Sequence, residues 1–256
     1  MQSVLVAFSG GVDSTLLLGV AKDVLQHRLL AVTAQSDTSS DHELQDAKNI
    51  AHLIGVDHLV IFSSELDDLE FTKNSPERCY VCKKIRFRAL QELAENRGMA
   101  HVIDGENMDD LNDHRPGSRA ARELDIQSPL RNADLNKREI RELSRRLELP
   151  TWNKPSLACL ASRIPYGSPI TTRKLRQIDA AEQFIRELVP GSQVRVRHHG
   201  DTARVEVGQS SIPKLMRTSH RKAVIQRLKE LGFVYVTLDL DGYSMGSLNR
   251  GIAQGN

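Results

Sequence analysis

The chain has 256 residues, of which 39% are hydrophobic and 27% charged, and its formal net charge is +2. These values are typical of a soluble globular protein with one large domain or two small ones. A charge this close to neutral demands neither nucleic acid nor an anionic membrane as a partner, and no apolar run reaches the ~20 residues of a membrane span.

The three cysteines are too few for a disulfide scaffold in a chain of 256 residues. The N-terminus enters an apolar stretch without a charged segment or a cleavage site, so no secretory signal is expected. The sequence therefore predicts a protein of the reducing cytoplasm, whose cysteines serve a metal or catalysis.

The first predicted strand, residues 4–8, runs into Ser9-Gly10-Gly11-Val12-Asp13-Ser14 and then into a helical run over 15–24. Glycines let the backbone approach a phosphate, which the N–H groups and the helix dipole can then hold. The loop lacks the kinase-type G-x-x-x-x-G-K-[ST] pattern. It resembles the PP-loop of ATP pyrophosphatases, which adenylate a carbonyl or carboxylate oxygen and release pyrophosphate. An ordinary glycine turn is the alternative.

Three further strands are predicted over 29–34, 58–62 and 101–104, with helical patterns between them that include 44–54 and 85–97. This alternation predicts an α/β fold with a parallel sheet and helices on both faces. The segments that follow strands would meet at one edge of the sheet, beyond the carboxyl ends, where such sheets bind ligands.

Cys79 and Cys82 form a C-x-x-C pair flanked by cations, which favour the thiolate that binds metals. This spacing is a frequent half-site for zinc or iron–sulfur. Only Cys159 remains, so three cysteines from two segments would fit a [4Fe–4S] cluster with one open iron. A pair of small buried side chains, or an incidental redox pair, is the alternative.

An acidic segment, Asp104-Gly105-Glu106-Asn107-Met108-Asp109-Asp110, follows the fourth strand. Its carboxylates repel one another unless cations or donors intervene, and a Mg²⁺ carried by ATP phosphates would relieve that repulsion. An acidic helix N-terminus is the alternative. Arg115, in Asp113-His114-Arg115-Pro116-Gly117, is an equal candidate for a phosphate contact and for a turn cap.

A polar helix over 136–147 is followed by four prolines within twenty residues, which mark a boundary or an irregular loop. Cys159 lies in this loop, with Arg163 as a candidate to stabilise its thiolate. A buried structural cysteine is the alternative. We therefore predict a domain over 1–150, an interdomain loop over 151–170, and a small α+β domain over 171–256.

The small domain is predicted to contain helices over 172–188 and 220–231 and strands over 193–198, 203–207 and 234–238, with a hairpin at Gly200-Asp201. Arg195, Arg197 and His199 alternate, so they share one face of a strand. The two arginines are a candidate phosphate clamp, and Glu206 on the partner strand is a candidate to pair with one of them. A cross-strand ion-pair ladder is the alternative.

Taken together, these motifs resemble the LarE family of PP-loop sulfur transferases over nearly the whole chain. The resemblance rests on residues 9–14, 104–110, 155–167, 194–199 with Glu206, and the terminal Gly246-Ser247-Leu248-Asn249. It implies an adenine nucleotide α-hydrolase-like domain with a smaller C-terminal domain. It also implies an enzyme of nickel-pincer nucleotide biosynthesis, in which ATP adenylates a carboxylate of a pyridinium dicarboxylate mononucleotide and sulfur displaces AMP.

The resemblance also implies roles for individual residues. The ATP phosphates would be held by Ser9, Gly10, Gly11, Asp13 and Ser14, with adenine near Thr33 and Ser36. Arg195 and Arg197 would hold the substrate phosphate, and Asp109 and Glu206 are candidate metal ligands. Cys159 matches the sulfur-bearing cysteine of the family. Cys79 and Cys82 match the branch in which three cysteines hold a [4Fe–4S] cluster. In the other branch Cys159 gives up its own sulfur and becomes dehydroalanine.

The expected partners are a small-molecule nucleotide, further copies of the chain in a homo-oligomer, and transient contact with other cofactor-biosynthesis proteins. The principal competing interpretation is a tRNA thiolase, which the net charge of +2 and the 4% aromatic content disfavour. A synthetase of the NAD or GMP kind would have no use for three cysteines. A non-catalytic nucleotide-binding regulator would not convert ATP to AMP.

Overall fold

The structure is a computed structural model that describes residues 2–111, 116–156 and 158–244. The predictions for Asp113, His114 and Arg115, and for Gly246 to Asn249, lie outside the described residues. The chain divides into two compact units, 1–158 and 159–256. That division lies inside the predicted loop over 151–170 and places Cys159 at the start of the second unit.

The first unit contains a parallel sheet of four strands in the order β3-β2-β1-β4. The strands are β1 (Val4–Ala7), β2 (Leu29–Gln35), β3 (His58–Phe62) and β4 (His101–Ile103). The helices are α1 (Val12–Leu25), α2 (Asp41–Ile54), α3 (Leu69–Thr72), α4 (Arg78–Asn96), α5 (Pro116–Glu123), α6 (Pro129–Asn132) and α7 (Lys137–Arg146).

Both faces of this sheet are covered, which explains why its strands are nearly continuous apolar runs. Val4, Val6 and Ala31 pack on one face with residues of α1, α2 and α7. Leu5 and Val32 pack on the opposite face with residues of α4 and α5. The predicted α/β fold with a parallel sheet is therefore confirmed.

The second unit contains a mixed sheet in the order β5-β6-β7, antiparallel between β5 and β6 and parallel between β6 and β7. Its strands are β5 (Val194–His199), β6 (Thr202–Val207) and β7 (Tyr235–Leu238), and its helices are α8 (Thr172–Leu188), α9 (Ile212–Leu215) and α10 (Thr218–Glu230). The two-residue hairpin at Gly200-Asp201 is confirmed, because His199 pairs with Thr202.

The apolar face of this second sheet packs on α8 and α10. Its strands alternate accordingly, with Val194 and Val196 toward the helices and Arg195 and Arg197 toward the opposite side. None of the helices within the described parts of the chain combines the length and apolar character that a membrane crossing requires.

Helix caps account for several boundaries. The Ser40 hydroxyl accepts from Glu43 N at the start of α2, and Asn136 and Glu139 form a capping box at the start of α7. The main difference from the sequence prediction is α4, which begins at Arg78 rather than at residue 85. The C-x-x-C pair therefore lies on the first turns of a helix.

Candidate active site

The candidate site of the first unit lies at the topological switch point of the sheet. Here β2 and β3 lie on one side of β1 and β4 lies on the other. The loops that follow β1 and β4 are in direct contact. A Cβ on Gly105 would lie 3.0 Å from Ser14 N, so a side chain here would crowd the backbone of the cradle. Asn107 Nδ2 donates to Asp13 Oδ1 at 3.2 Å. The predicted meeting of these two segments is confirmed.

The loop over 9–14 has the geometry of an anion cradle. Gly10 adopts a φ of +67°, and a Cβ at this position would lie 3.0 Å from Ala47 Cα of α2. Ser9 N donates to Ser14 Oγ at 3.3 Å, which closes the loop on itself. Among the described residues, no side chain caps the N-terminus of α1, whose cap residue is Gly11. A helix N-terminus without a side-chain cap leaves first-turn amides as donors for an anion.

Two lysines that the sequence analysis missed also reach this loop. The Lys137 ammonium group donates to Asp13 Oδ2, and Lys154 Nζ donates to Gly10 O at 3.0 Å and to Asp46 Oδ2 at 3.0 Å. They lie 124 and 144 residues from their partners in the loop, so no local spacing could have indicated them. Together they place positive charge beside the cradle.

The first two carboxylates of the acidic segment after β4, Asp104 and Glu106, belong to a buried hydrogen-bonded network. Ser128 Oγ donates to Asp104 Oδ1 at 2.7 Å, and Arg131 Nη1 donates to Glu106 Oε2 at 2.7 Å. Burial raises the pKa of Asp104, although the nearby Lys83 ammonium group opposes that shift. Asp109 is exposed, and its Oδ2 accepts from Lys137 N at 2.9 Å. The segment thus contains two buried carboxylates, Asp104 and Glu106, the half-buried Asp110, and the exposed Asp109.

The two residues predicted to lie near adenine are at the carboxyl end of β2, where Thr33 belongs to the strand and Ser36 follows it. The Thr33 hydroxyl donates to Phe8 O at 2.8 Å, and His58 Nε2 lies 2.8 Å from Thr33 Oγ1. The single hydroxyl hydrogen of Thr33 is thus used on the backbone that precedes the cradle. Ser36 Oγ accepts from Arg86 Nη2 at 2.9 Å and lies 2.9 Å from the Thr38 hydroxyl.

Cys79 is exposed and Cys82 is partly exposed on α4. Cys82 Sγ donates to Glu65 Oε1 at 3.6 Å, and Glu65 is buried. The flanking lysines reach other groups. Lys83 Nζ lies 3.7 Å from Asp104 Oδ2, and Lys84 Nζ donates to the Tyr80 hydroxyl. The structure therefore places beside Cys82 a buried carboxylate that is itself paired with the Arg86 guanidinium group, and thiolate stabilisation by the flanking cations remains a prediction.

In the second unit, Cys159 is exposed and begins a short 3-10 turn, Leu160–Arg163. Arg163 is buried, and its Nη1 donates to Cys159 O at 3.0 Å. Its Nε and Nη2 donate to both carboxylate oxygens of Glu182. The guanidinium group therefore contacts the backbone of Cys159, whereas the sequence analysis expected it to stabilise the thiolate.

Arg195 and Arg197 are both buried, with exposed fractions of 6% and 5%. Arg197 donates to both oxygens of Glu206, which confirms the predicted pairing. Glu206 also accepts from Arg204 Nη2 at 3.0 Å, so both of its oxygens bind arginines where the sequence analysis proposed a metal ligand. His199 continues the same face and is exposed at the surface. Partial desolvation of its imidazole ring and the positive charge of Arg204 lower its pKa.

None of the three cysteines, all of which are described, forms a disulfide. Among residues 2–111, 116–156 and 158–244, no group of three or more His, Cys, Asp or Glu side chains could hold a metal ion. The proposed metal roles of Cys79, Cys82, Cys159, Asp109 and Glu206 remain predictions.

Comparison with known proteins gives the following relationships. Residues 1–114 match the family model of the PP-loop domain. The chain is 39% identical to pyridinium-3,5-bisthiocarboxylic acid mononucleotide synthase of Lactiplantibacillus plantarum, over 97% of this chain and 90% of that protein. It is 43% identical to an uncharacterized protein of Synechocystis sp., over 98% of this chain and 93% of the relative. It is 27% identical to the glutamine-hydrolysing GMP synthase of Aeropyrum pernix, over 72% of this chain and 39% of that enzyme.

Proposed function

The chain belongs to the LarE family of PP-loop sulfur transferases, and from that premise we propose that it is an ATP-dependent sulfurtransferase acting on pyridinium-3,5-dicarboxylate mononucleotide. The proposal rests on the 39% identity to the bisthiocarboxylate synthase, which extends over 97% of this chain and so includes both units. The likeness to GMP synthase extends over 72% of the chain at lower identity, as expected for enzymes that share nucleotide chemistry.

Four features of the first unit support ATP binding. The first-turn amides of α1, the glycines of the cradle, and the two lysine side chains suit the triphosphate. The Gln35 Oε1 atom, at the end of β2, is buried and has no hydrogen-bond partner among the described residues. An adenine amino group is a donor of the kind that this oxygen lacks. Mg²⁺ would arrive with ATP, and Asp109 is the exposed carboxylate proposed to contact it.

The first chemical step is adenylation. A substrate carboxylate oxygen attacks the α-phosphorus of ATP, the bond from that phosphorus to pyrophosphate breaks, and pyrophosphate leaves with its electron pair. The ammonium groups of Lys137 and Lys154 would neutralise charge that develops on the leaving group. The product is an acyl adenylate.

The second step replaces AMP with sulfur. A sulfur nucleophile attacks the carbonyl carbon of the acyl adenylate, and the carbon–oxygen bond to AMP breaks. If the sulfur is that of Cys159, loss of the Cα proton and cleavage of its Cβ–S bond give the thiocarboxylate and dehydroalanine. This sacrificial route is the alternative to sulfide carried by a cluster.

The proposal extends to a [4Fe–4S] cluster held by Cys79, Cys82 and Cys159. Thiolates are the ligands that such clusters take, and all three cysteines carry at least partly exposed thiols. The proton that Cys82 shares with Glu65 would have to leave before Cys82 could bind iron.

The remaining assignments follow from the family. Arg195 and Arg197 would bind the substrate phosphate, with Glu206 nearby as a candidate metal ligand. Thr33 and Ser36 would lie beside adenine. We propose a homo-oligomer in the cytoplasm that makes transient contact with other proteins of cofactor biosynthesis.

The deciding experiment measures intact mass with iron and sulfide content, before and after reaction with MgATP and the dicarboxylate mononucleotide. About four irons per chain and an unchanged polypeptide mass would support the cluster route. No iron and a loss of about 34 Da would support sacrifice of Cys159. Formation of AMP without any thiocarboxylate would contradict sulfur transfer itself.

Cysteine variants provide the matched controls. Cys159→Ser should retain pyrophosphate release and lose the thiocarboxylate in both routes. Cys79→Ser and Cys82→Ser should lose it only if the cluster route operates.

A further inference from the structure

The turn that carries Cys159 is held by buried charges. Arg163 Nη1 donates to Cys159 O at 3.0 Å and to Ser162 Oγ at 2.9 Å. From the neighbouring strand β5, Arg197 Nη1 donates to Ser162 O at 3.0 Å. Two guanidinium groups thus donate to backbone carbonyl oxygens of the turn, one at Cys159 and one at Ser162. Charge-assisted hydrogen bonds of this kind are shorter and stronger than those between neutral groups.

Each of these arginines is itself fixed by a buried carboxylate. Glu182 accepts from Arg163 Nε at 2.8 Å and Nη2 at 3.0 Å, and it also accepts from Val196 N at 3.0 Å. Glu206 accepts from Arg197 Nε at 3.0 Å and Nη2 at 2.7 Å. Both carboxylates are fully buried. The fork geometry lets a guanidinium group bind a carboxylate with two of its nitrogens and the turn with the third.

Arg195 differs from Arg197 although both lie on the same face of β5. Its Nη1 donates to Val194 O at 2.8 Å, and its guanidinium carbon lies 5.2 Å from the centroid of the Tyr243 ring. Within the described residues no carboxylate lies within ion-pair distance of Arg195. The Glu182 carboxylate attracts Arg195 from beyond that distance, but its oxygens already accept from Arg163 and Arg186. Burying a cation without a directly bound carboxylate is costly, so Arg195 is the arginine of this face that favours an incoming anion.

The family assigns both arginines of β5 to the substrate phosphate, but Arg197 already binds Glu206 and Ser162 O. We propose instead that Arg197 acts together with Arg163 as a positioning residue for Cys159, and that Arg195 is the arginine of β5 that binds the substrate phosphate. This inference rests on the proposed function for the identity of the anion. The positioning of Cys159 stands on the contacts of the second unit alone.

The chain offers a matched control for each positioning residue. Arg186 shares Glu182 with Arg163, and Arg204 shares Glu206 with Arg197. Within the described parts of the chain, neither Arg186 nor Arg204 contacts the turn. Substituting lysine for each of the four arginines keeps the charge next to the carboxylate, but a single ammonium group cannot reach two partners in the fork geometry.

The first measurement is hydrogen–deuterium exchange of the peptide that contains the Cys159 turn, in protein without ATP or substrate. Ser162 N donates to Cys159 O, and Ile164 N donates to Ala161 O, so these amides report opening of the turn. We expect exchange to accelerate about tenfold or more in Arg163→Lys and Arg197→Lys, which is the scale of one lost charge-assisted hydrogen bond. In Arg186→Lys, Arg204→Lys and Arg195→Lys it should stay within about threefold of the unmodified protein.

Equal acceleration in Arg163→Lys and Arg186→Lys, or in Arg197→Lys and Arg204→Lys, would overturn the positioning role, because it would show a general loss of ion-pair stability. If Arg197→Lys fails to fold, the pair Arg197→Met with Glu206→Leu removes the contact to the turn without leaving a buried charge. The same acceleration is expected there, and its absence would count against the proposal.

The second measurement separates binding from positioning in the sulfur-transfer reaction. Arg195→Lys should raise the KM for the mononucleotide at least tenfold with kcat within about threefold. Arg197→Lys should lower kcat at least tenfold with KM within about threefold. Identical KM effects in both variants would overturn the separate roles. If the unmodified protein makes no thiocarboxylate, the proposed function fails, and the exchange experiment still decides whether the turn is positioned by Arg163 and Arg197.

Discussion

Gly10→Ala is a sharp test of the nucleotide cradle, because two separate costs apply at this residue. Its φ of +67° lies in the left-handed region, which costs a non-glycine residue about 1–2 kcal/mol. The new Cβ would also lie 3.0 Å from Ala47 Cα, and such overpacking against backbone costs about 1–3 kcal/mol more. We expect a total destabilisation of about 2–5 kcal/mol.

Gly98→Ala is the matched control, since Gly98 has a φ of +63° and no atom of the described residues lies within 4 Å of the added Cβ. It should incur only the backbone cost of about 1–2 kcal/mol. Urea unfolding followed by circular dichroism measures both losses. A loss in Gly10→Ala no greater than that in Gly98→Ala would refute the argument that contact with α2 requires glycine.

The same pair tests the nucleotide assignment. Displacing the loop should weaken MgATP binding by at least about tenfold in Gly10→Ala, and Gly98→Ala should leave it within about twofold. Isothermal titration calorimetry measures both. Unchanged binding in a folded Gly10→Ala variant would mean that the ATP phosphates lie elsewhere.

Three further predictions concern charge. Lys154→Met should lower kcat/KM for ATP about 10- to 100-fold in a pyrophosphate-release assay, and the exposed Lys48→Met should not, because Lys154 supplies positive charge at the cradle. Burial raises the pKa of Glu182, but the Arg163 charge and hydrogen bond together with the charges of Arg195 and Arg186 outweigh it and lower that pKa. The stability that the ionised form contributes is therefore present above its ordinary pKa of 4.5 and is lost as pH falls through the lowered pKa. Urea unfolding should therefore show the advantage of the unmodified protein over Glu182→Gln shrinking below pH 4.5, and a constant gap would contradict this. For Asp104 the dependence of stability on pH is the opposite. Burial raises its pKa above the ordinary value of 3.8, so ionisation costs stability as pH rises, and Asp104→Asn should gain on the unmodified protein between pH 4 and pH 7.

The parallel sheet could be predicted because its signal is local. Buried parallel strands are short apolar runs, and the predicted strand over 58–62 coincides with β3. The start of α4 could not be predicted so easily. The segment from Arg78 to Lys84 lacks a regular apolar spacing, and its place in a helix depends on packing against other parts of the fold.

The site was predictable only where its residues are close in sequence. The cradle and the acidic segment each form a continuous motif, and a parallel sheet places both at one edge. Lys154 and Glu65 could not be found in this way, because their roles arise from contacts with residues distant in the chain. The spacing of Arg195 and Arg197 correctly placed both on one face of a strand, but it could not show that one of them already binds Glu206 and a backbone carbonyl.

The two buried arginine–carboxylate groups of the second unit require an explanation other than stability. Burying ion pairs is a poor way to stabilise a fold, because desolvation offsets most of the attraction. The unit already has an apolar core on the opposite face of its sheet, formed between α8, α10 and the valines of β5 and β6. The charged groups instead restrict the geometry of the turn, since each guanidinium group holds one backbone carbonyl oxygen, that of Cys159 or of Ser162. A thiol that must meet one carbonyl carbon needs such support, because a displacement of about 1 Å can cost a factor of about 100 in rate. The placement of both groups against one turn, with Cys159 at its start, is therefore best understood as a means of holding that thiol.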